Sequence, residues 1–334
     1  MNRLLCVFAM LTTSGLAAEQ TLIIRDEDGR GLSGAEIEAT LTPPDDPRLA
    51  SVVVHKGATD SRGIFRYDTD DTLILTRVRA QRPGYHSADM DHRHGLGRPR
   101  QSAELSLTLP RKTEWVPLHY REVRLSGLPA GKRIGFDLEA ADAVAPWGKG
   151  KTVDCELELE SNQVGWTESK ETLAELRRTP EGVRMDDQEW AATYGHFRGK
   201  LRFSFPRQGD GIVETTAFWP YCPLKMPTLA PADGYVIAKG FPFDTLSAND
   251  SSADSTGHYL RIRTQHSPDG SMTSAHYAKI QGRIVAGPGR VAFRLYYNPR
   301  DGDRRLAFDV RKNLLRPPPG ATPAEEEHFQ AFEP

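Results

Sequence analysis

From residue 21 onward, short runs of alternating apolar and polar residues are separated by clusters of Gly, Pro, Asp and Ser. Successive side chains of a strand point to opposite faces, so this alternation marks half-buried strands. It predicts strands over residues 21–24, 35–41, 51–55, 64–67, 72–80 and 103–109, the spacing of a small antiparallel sandwich. Gly29, Gly63 and Gly84 fall in the intervening turns, where a residue without Cβ takes positive φ freely. Farther on, strands are predicted over 116–120, 132–138, 152–159, 199–205, 257–264, 275–285 and 290–297. Helical periodicity is confined to two places. Over 169–178, Leu173 and Leu176 share a face and Pro180 closes the helix; over 186–194 a short helical turn is expected. The chain reads as mainly β, an N-terminal β-sandwich followed by a larger β-rich domain with one or two short helices.

The first 18 residues follow another pattern. Arg3 precedes an apolar core over 4–11, and the small residues Gly15, Ala17 and Ala18 come after it. That is the order of a secretory signal peptide, with an apolar core too short to span a bilayer. Residues 19–111 are then expected to form the first domain and 112–316 the second. Residues 317–334 open on three prolines, continue through Glu325, Glu326 and Glu327, and read as a disordered tail. No apolar run after the signal has the length of a membrane helix. The mature chain is expected to be secreted or periplasmic, without a membrane span.

Three groups of residues carry a family resemblance. Asp28-Gly29-x-Gly31-x-x-Gly34-Ala35-x-Ile37, Thr59-Asp60-x-x-Gly63-x-Phe65 and Pro83-Gly84-Tyr85, in that order and spacing, resemble the carboxypeptidase regulatory-like domain over residues 20–110. The resemblance implies a transthyretin-like, immunoglobulin-like β-sandwich that serves as an accessory or adhesive module and carries no catalysis of its own. The later segments Gly135-Phe136-Asp137-Leu138, Pro146-Trp147-Gly148-Lys149-Gly150, Tyr277-Ala278-Lys279-Ile280-Gln281-Gly282 and Tyr296-Tyr297-Asn298-Pro299 resemble an uncharacterised domain of bacterial envelope proteins. That second resemblance brings no known activity.

Charge changes the picture by exclusion. Lys and Arg number 43 against 45 Asp and Glu, a net charge of −2. A nucleic-acid partner is not expected, because neutralising phosphates takes a basic surface. Cys155 and Cys222 remain after loss of the signal with its Cys6. In an oxidising compartment the pair can close a disulfide, and two buried free thiols are the alternative.

Candidate chemistry is sparse. His86, Asp89, Asp91, His92 and His94 are close enough in sequence to supply ligands to a metal such as zinc or copper, and a polar inter-strand loop is the competing reading. Asp137, Glu139, Asp142 and Asp154 offer carboxylates for an acid and base pair of the glycoside-hydrolase kind. Trp147, Trp166, Trp190 and Trp219 would supply a sugar-stacking wall, or serve as packing anchors. The repeated pairs Asp26/Asp28 and Asp301/Asp303 read as turn residues that bond their own backbone. No nucleophile elbow, HExxH or Walker-type loop occurs, and no cofactor is called for. These readings lead to a non-catalytic binding or structural protein for a glycan, a cell-wall component or another envelope protein. The alternatives are a carbohydrate-active hydrolase using the 112–316 carboxylates and a metal-binding protein using the 86–94 loop.

Overall fold

The structure, a computed structural model, describes residues 18–43, 52–69, 73–91, 104–246 and 256–330. The expected signal peptide lies outside them, apart from Ala18 at the start of the first strand. The fold is mainly β, with 49% of the described residues in strands and 8% in helices. Two compact units are present: residues up to Lys112 together with Tyr221–Pro223, and Thr113–Pro220 together with the chain from Leu224.

The first unit contains β1 (Ala18–Arg25), β2 (Glu36–Thr42), β3 (Val53–Ala58), β4 (Ile64–Thr69), β5 (Ile74–Gln81), β6 (Ala88–Asp91) and β7 (Glu104–Thr108). They form two sheets, ordered β4-β1-β7 and β3-β2-β5-β6, in which only β1 and β7 run parallel. Leu22, Ile24, Tyr67 and Leu107 of one sheet join Ile37, Leu41, Val78 and Met90 of the other in one core. The glycine motifs interlock at one end of this sandwich. Ile24 N–H donates to the Gly63 carbonyl, Gly34 N–H to the Thr59 carbonyl, and Ala35 N–H to Thr59 Oγ1. A Cβ on Gly31 would lie 2.0 Å from the Arg62 carbonyl oxygen, and one on Gly63, at φ +79°, 2.4 Å from that of Ile24. Only glycine fits such close approaches. Asp26 and Asp60 hold their own turns: Asp26 accepts the N–H groups of Asp28 and Arg30, Asp60 those of Arg62 and Ile64.

The second unit contains β8 (His119–Leu125), β9 (Arg133–Asp137), β10 (Asp142–Ala143), β11 (Cys155–Trp166), α1 (Lys170–Leu176), α2 (Pro180–Arg184), α3 (Asp187–Tyr194), β12 (Gly195–Ser204), β13 (Gly211–Thr215), β14 (Ala238–Asp244), β15 (Gly257–His266), β16 (Met272–Gly287), β17 (Arg290–Asn298) and α4 (Pro323–Glu327). Two antiparallel sheets, β10-β9-β11-β12-β14 and β13-β15-β16-β17-β8, enclose a core built on Phe136, Leu157, Leu201, Phe203, Leu260, Ile280, Phe293 and Leu295. The second sheet is buried on its other face too, where Tyr120, Tyr259, Tyr277 and Tyr296 pack with Val116, Met226, Leu306 and Phe308. Double burial explains why 290–297 reads as a nearly continuous apolar run rather than a clean alternation.

Two expectations are corrected here, and one open alternative is narrowed. Pro180 does not simply end a helix. Thr179 caps α2 by accepting the Gly182 N–H, and Pro180 occupies its first turn, where a missing N–H is harmless. The tail is not disordered through residue 330: Thr322 and Glu325 form a capping box on α4, Asn313 Nδ2 donates to the Phe329 carbonyl, and the Arg121 guanidinium lies 5.2 Å from the Phe329 ring centroid. No disulfide joins Cys155 and Cys222, in keeping with the alternative of two buried thiols. Cys155 belongs to the second unit's core, whereas Cys222 falls in the segment grouped with the first unit, and both side chains are buried.

Candidate functional site

Three of the four carboxylates singled out in the sequence, Asp137, Glu139 and Asp154, come together around one arginine. Arg263 sits on β15 with φ +54°, at the register shift between Ile262 and Gln265. Buried Asp210 secures this bulge by accepting the N–H groups of Arg263 and Thr264 at 3.1 and 2.8 Å. The twist that a bulge introduces aims its side chain away from the regular pleat. Arg263 Nε and Nη2 donate to Asp154 at 2.8 and 3.1 Å, and Nη1 donates to Glu139 at 2.6 Å. Asp137 lies 3.5 Å away, and Tyr297 Oη 3.3 Å. His276 Nδ1 meets the Tyr297 hydroxyl at 2.8 Å, and His119 packs edge-on against the same ring.

Each carboxylate is occupied. Asp137 accepts the backbone N–H groups of Glu139, Ala140, Lys151 and Thr152, so it clamps the segments on both sides of β10. Burial opposes its ionisation, but these donors outweigh burial and hold its carboxyl below the usual range. Asp154 has no solvent exposure and also accepts the Leu138 N–H. Burial is the larger influence there and raises its carboxyl against the pull of Arg263. Glu139 alone reaches solvent, with half its side chain exposed. Asp142 stands apart, accepting the N–H groups of Ala143 and Lys149.

Among the described residues no ring contact joins any two of the four tryptophans, so they do not stack into one wall. Trp147 and Trp166 are exposed, and lie near opposite ends of the 12-residue strand β11. Trp190 is buried in α3, under the Arg177 guanidinium at 4.7 Å and beside Tyr194 at 4.5 Å. Trp219 is buried, and its N–H donates to the Lys225 carbonyl.

The proposed metal ligands also part company. Strand β6 follows the pattern Ala88 in, Asp89 out, Met90 in, Asp91 out. His86 is buried and Asp89 is gripped by Arg77 through both oxygens. His92 and His94 lie outside the described residues. Among the described residues, no group of three or more His, Cys, Asp or Glu is placed to hold a metal ion.

A cleft of about 440 Å³ opens elsewhere on the second unit. Glu122 of β8, Phe218, Lys225, Arg283 of β16, and Arg294 of β17 line it. Its cause is local: between Gln281 and Val285 the β16–β17 register slips, with Gly282 at φ +74°. Three cationic side chains thus face one carboxylate, which already accepts from Arg124 and lies 3.5 Å from His328. Sequence reading passed over these residues because their spacing, from 122 to 294, carries no local signature; the glycine within 281–285 was the available signal.

No family model matches the chain, and neither does any curated protein. Solved structures give remote similarities. A Streptococcal ancillary pilin aligns over 47% of this chain and 57% of its own, just over half, at 14% identity and a TM-score of 0.21. A shaft pilin of Lactobacillus rhamnosus GG aligns over 87% and 94% at 8% identity and 0.22. A DUF3823 family protein from Parabacteroides merdae aligns over 83% and 96% at 8% identity and 0.17. TM-scores this low do not establish a common fold. Among the described residues no helix is long and apolar enough to cross a membrane.

Proposed function

We propose that the chain is an exported, non-catalytic envelope protein whose second unit holds an acidic glycan or cell-wall polymer in the cleft bordered by β8, β16 and β17. The observation that carries the non-catalytic reading is the saturation of Asp137 and Asp154. A general acid or base must reach the proton it transfers. Asp154 is sealed beneath Arg263 and Asp137 is spent on four backbone N–H groups. What supports the acidic ligand is that Lys225, Arg283 and Arg294 all line this cleft. Arginine forks recognise carboxylate and phosphate in two-point contacts. The first unit fits the accessory role that its carboxypeptidase regulatory-like motifs imply, and the N-terminal 18 residues supply the export signal.

The test is a titration of the mature chain with polygalacturonate, followed by calorimetry across a salt series. Binding that weakens with salt, and weakens about tenfold in Arg294→Glu, is the expected result. Salt-independent binding, or none, overturns the cleft assignment. Release of new reducing ends during the titration overturns the non-catalytic one.

A further inference from the structure

The second unit has another opening, along the side of its sandwich where the edge strands β13 and β14 lie. Here the inner faces carry polar residues at positions that alternation reserves for the core. On β15, His258 shares its face with Leu260 and Ile262, both core residues. Glu214 of β13 is its direct cross-strand partner. Lys239 and Phe241 of β14 stand opposite Phe203 and Leu201, again on the inward face. The slot has a volume of about 330 Å³ and is lined by Glu214, Lys239, Phe241, Pro242, His258 and Ile284.

Its floor is unusual. His258 is 4% exposed, and neither ring nitrogen has a hydrogen-bond partner among the described residues. A buried polar group without a partner destabilises the fold, and an apolar ring at this position would avoid that. Phe241 packs edge-on against the imidazole at 5.0 Å, an apolar neighbour that offers its nitrogens no hydrogen bond. Nearer to solvent, Lys239 Nζ meets Glu214 Oε2 at 2.6 Å, which links the two sheets across the opening.

We infer that this slot is a binding site for a neutral, hydroxyl-bearing ligand, a single sugar unit, which enters beside the Lys239–Glu214 pair and bonds one ring nitrogen of His258 at the floor. The chemistry of the lining selects that class. Lys239 and Glu214 cancel in charge, and burial holds the imidazole neutral at physiological pH, with one donor and one acceptor nitrogen. A sugar hydroxyl, which can both donate and accept, complements whichever nitrogen it meets. Phe241, Pro242 and Ile284 offer the apolar surface that a sugar's C–H face packs against. An anion gains no net charge here, and a purely apolar ligand leaves the imidazole as it is. The inference is independent of the cationic cleft and shares no residue with it.

The experiment follows the His258 ring resonances by NMR while the mature chain is titrated with glucose, galactose and N-acetylglucosamine through the millimolar range. The expected result is saturable movement of the His258 ring-nitrogen resonances with at least one of them. Affinity should fall about tenfold or more in His258→Phe and in Lys239→Met, while His258→Phe keeps or raises Tm. Disaccharides of the active sugar then separate a free monosaccharide from the unit of a polymer: a site for a polymer end accepts them, a closed monosaccharide site does not. No movement with any of the three sugars overturns the inference. So does sugar affinity unchanged in both variants, or movement with zinc alone, or a high-resolution crystal structure in which ordered waters hold both nitrogens and no sugar displaces them.

Discussion

Asp154 is fully buried, and two of its three hydrogen bonds come from the single guanidinium of Arg263. Arg263→Ala therefore leaves a buried carboxylate with one backbone donor. Breaking such a pair from one side destabilises by about 3–5 kcal/mol, whereas replacing both partners with apolar residues is far milder. Urea unfolding of Arg263→Ala should show that loss, and Arg263→Met with Asp154→Leu should recover most of it. His258 gives the pH counterpart. Burial, with Lys239 adding to it and Glu214 opposing, lowers its pKa from 6.5 to about 4. The unfolded chain then binds the extra proton first as pH falls. Stability is complete above pH 6.5 and declines toward pH 4, by about 3 kcal/mol at 1.36 kcal/mol per pKa unit. His258→Phe should remove that decline from a pH series of urea midpoints, leaving only what the carboxylates contribute.

At the level of elements, the sequence shows best where burial is one-sided. Strands β1, β2, β4 and β5 alternate cleanly and lie close to their expected positions. Strand β6 was missed because four residues, Ala88–Asp91, are too few for a period and His86 drew attention to a loop. Strands β13 and β14 were missed for a physical reason tied to the slot: Glu214 and Lys239 occupy inward positions, and Pro242 interrupts a strand that tolerates it only as an edge. The Arg263 cluster was half visible, since Asp137 and Glu139 stood out, but their partner lies 124 residues beyond Glu139 at a bulge no local pattern announces. The helical insertion between β11 and β12 yields a sharper prediction. A Cβ on Gly182 would lie 2.1 Å from the Leu176 carbonyl oxygen, in the link between α1 and α2. Arg177 reaches from there to the Met185 carbonyl and Asp187, binding the three helices together. Gly182→Ala should accelerate hydrogen exchange over 170–194 while exchange in β15–β17 stays unchanged, because local units open separately.

The whole molecule owns separate cores. The first unit encloses Leu22, Ile24, Leu41 and Met90, and the second encloses a sandwich core plus a tyrosine-rich layer on one sheet. A domain with its own core is expected to fold alone. One segment qualifies this for the first unit: Tyr221–Pro223 belongs to it although it lies far along the chain. Tyr221 packs on that core, and its carbonyl accepts the Asp89 N–H at the outer strand β6. The fragment 113–330 retains all of its own core residues, whereas 18–112 lacks this segment. Fragment 113–330 should then melt cooperatively with a Tm close to the corresponding transition of the full chain. Fragment 18–112 should fold with lower stability, by about 1–3 kcal/mol for the lost aromatic burial and hydrogen bond. In the full chain Tyr221→Ala should lower the transition of the first unit and leave the other in place, as calorimetry would read directly. A single transition that moves as a whole in this variant would mean that the two cores unfold together.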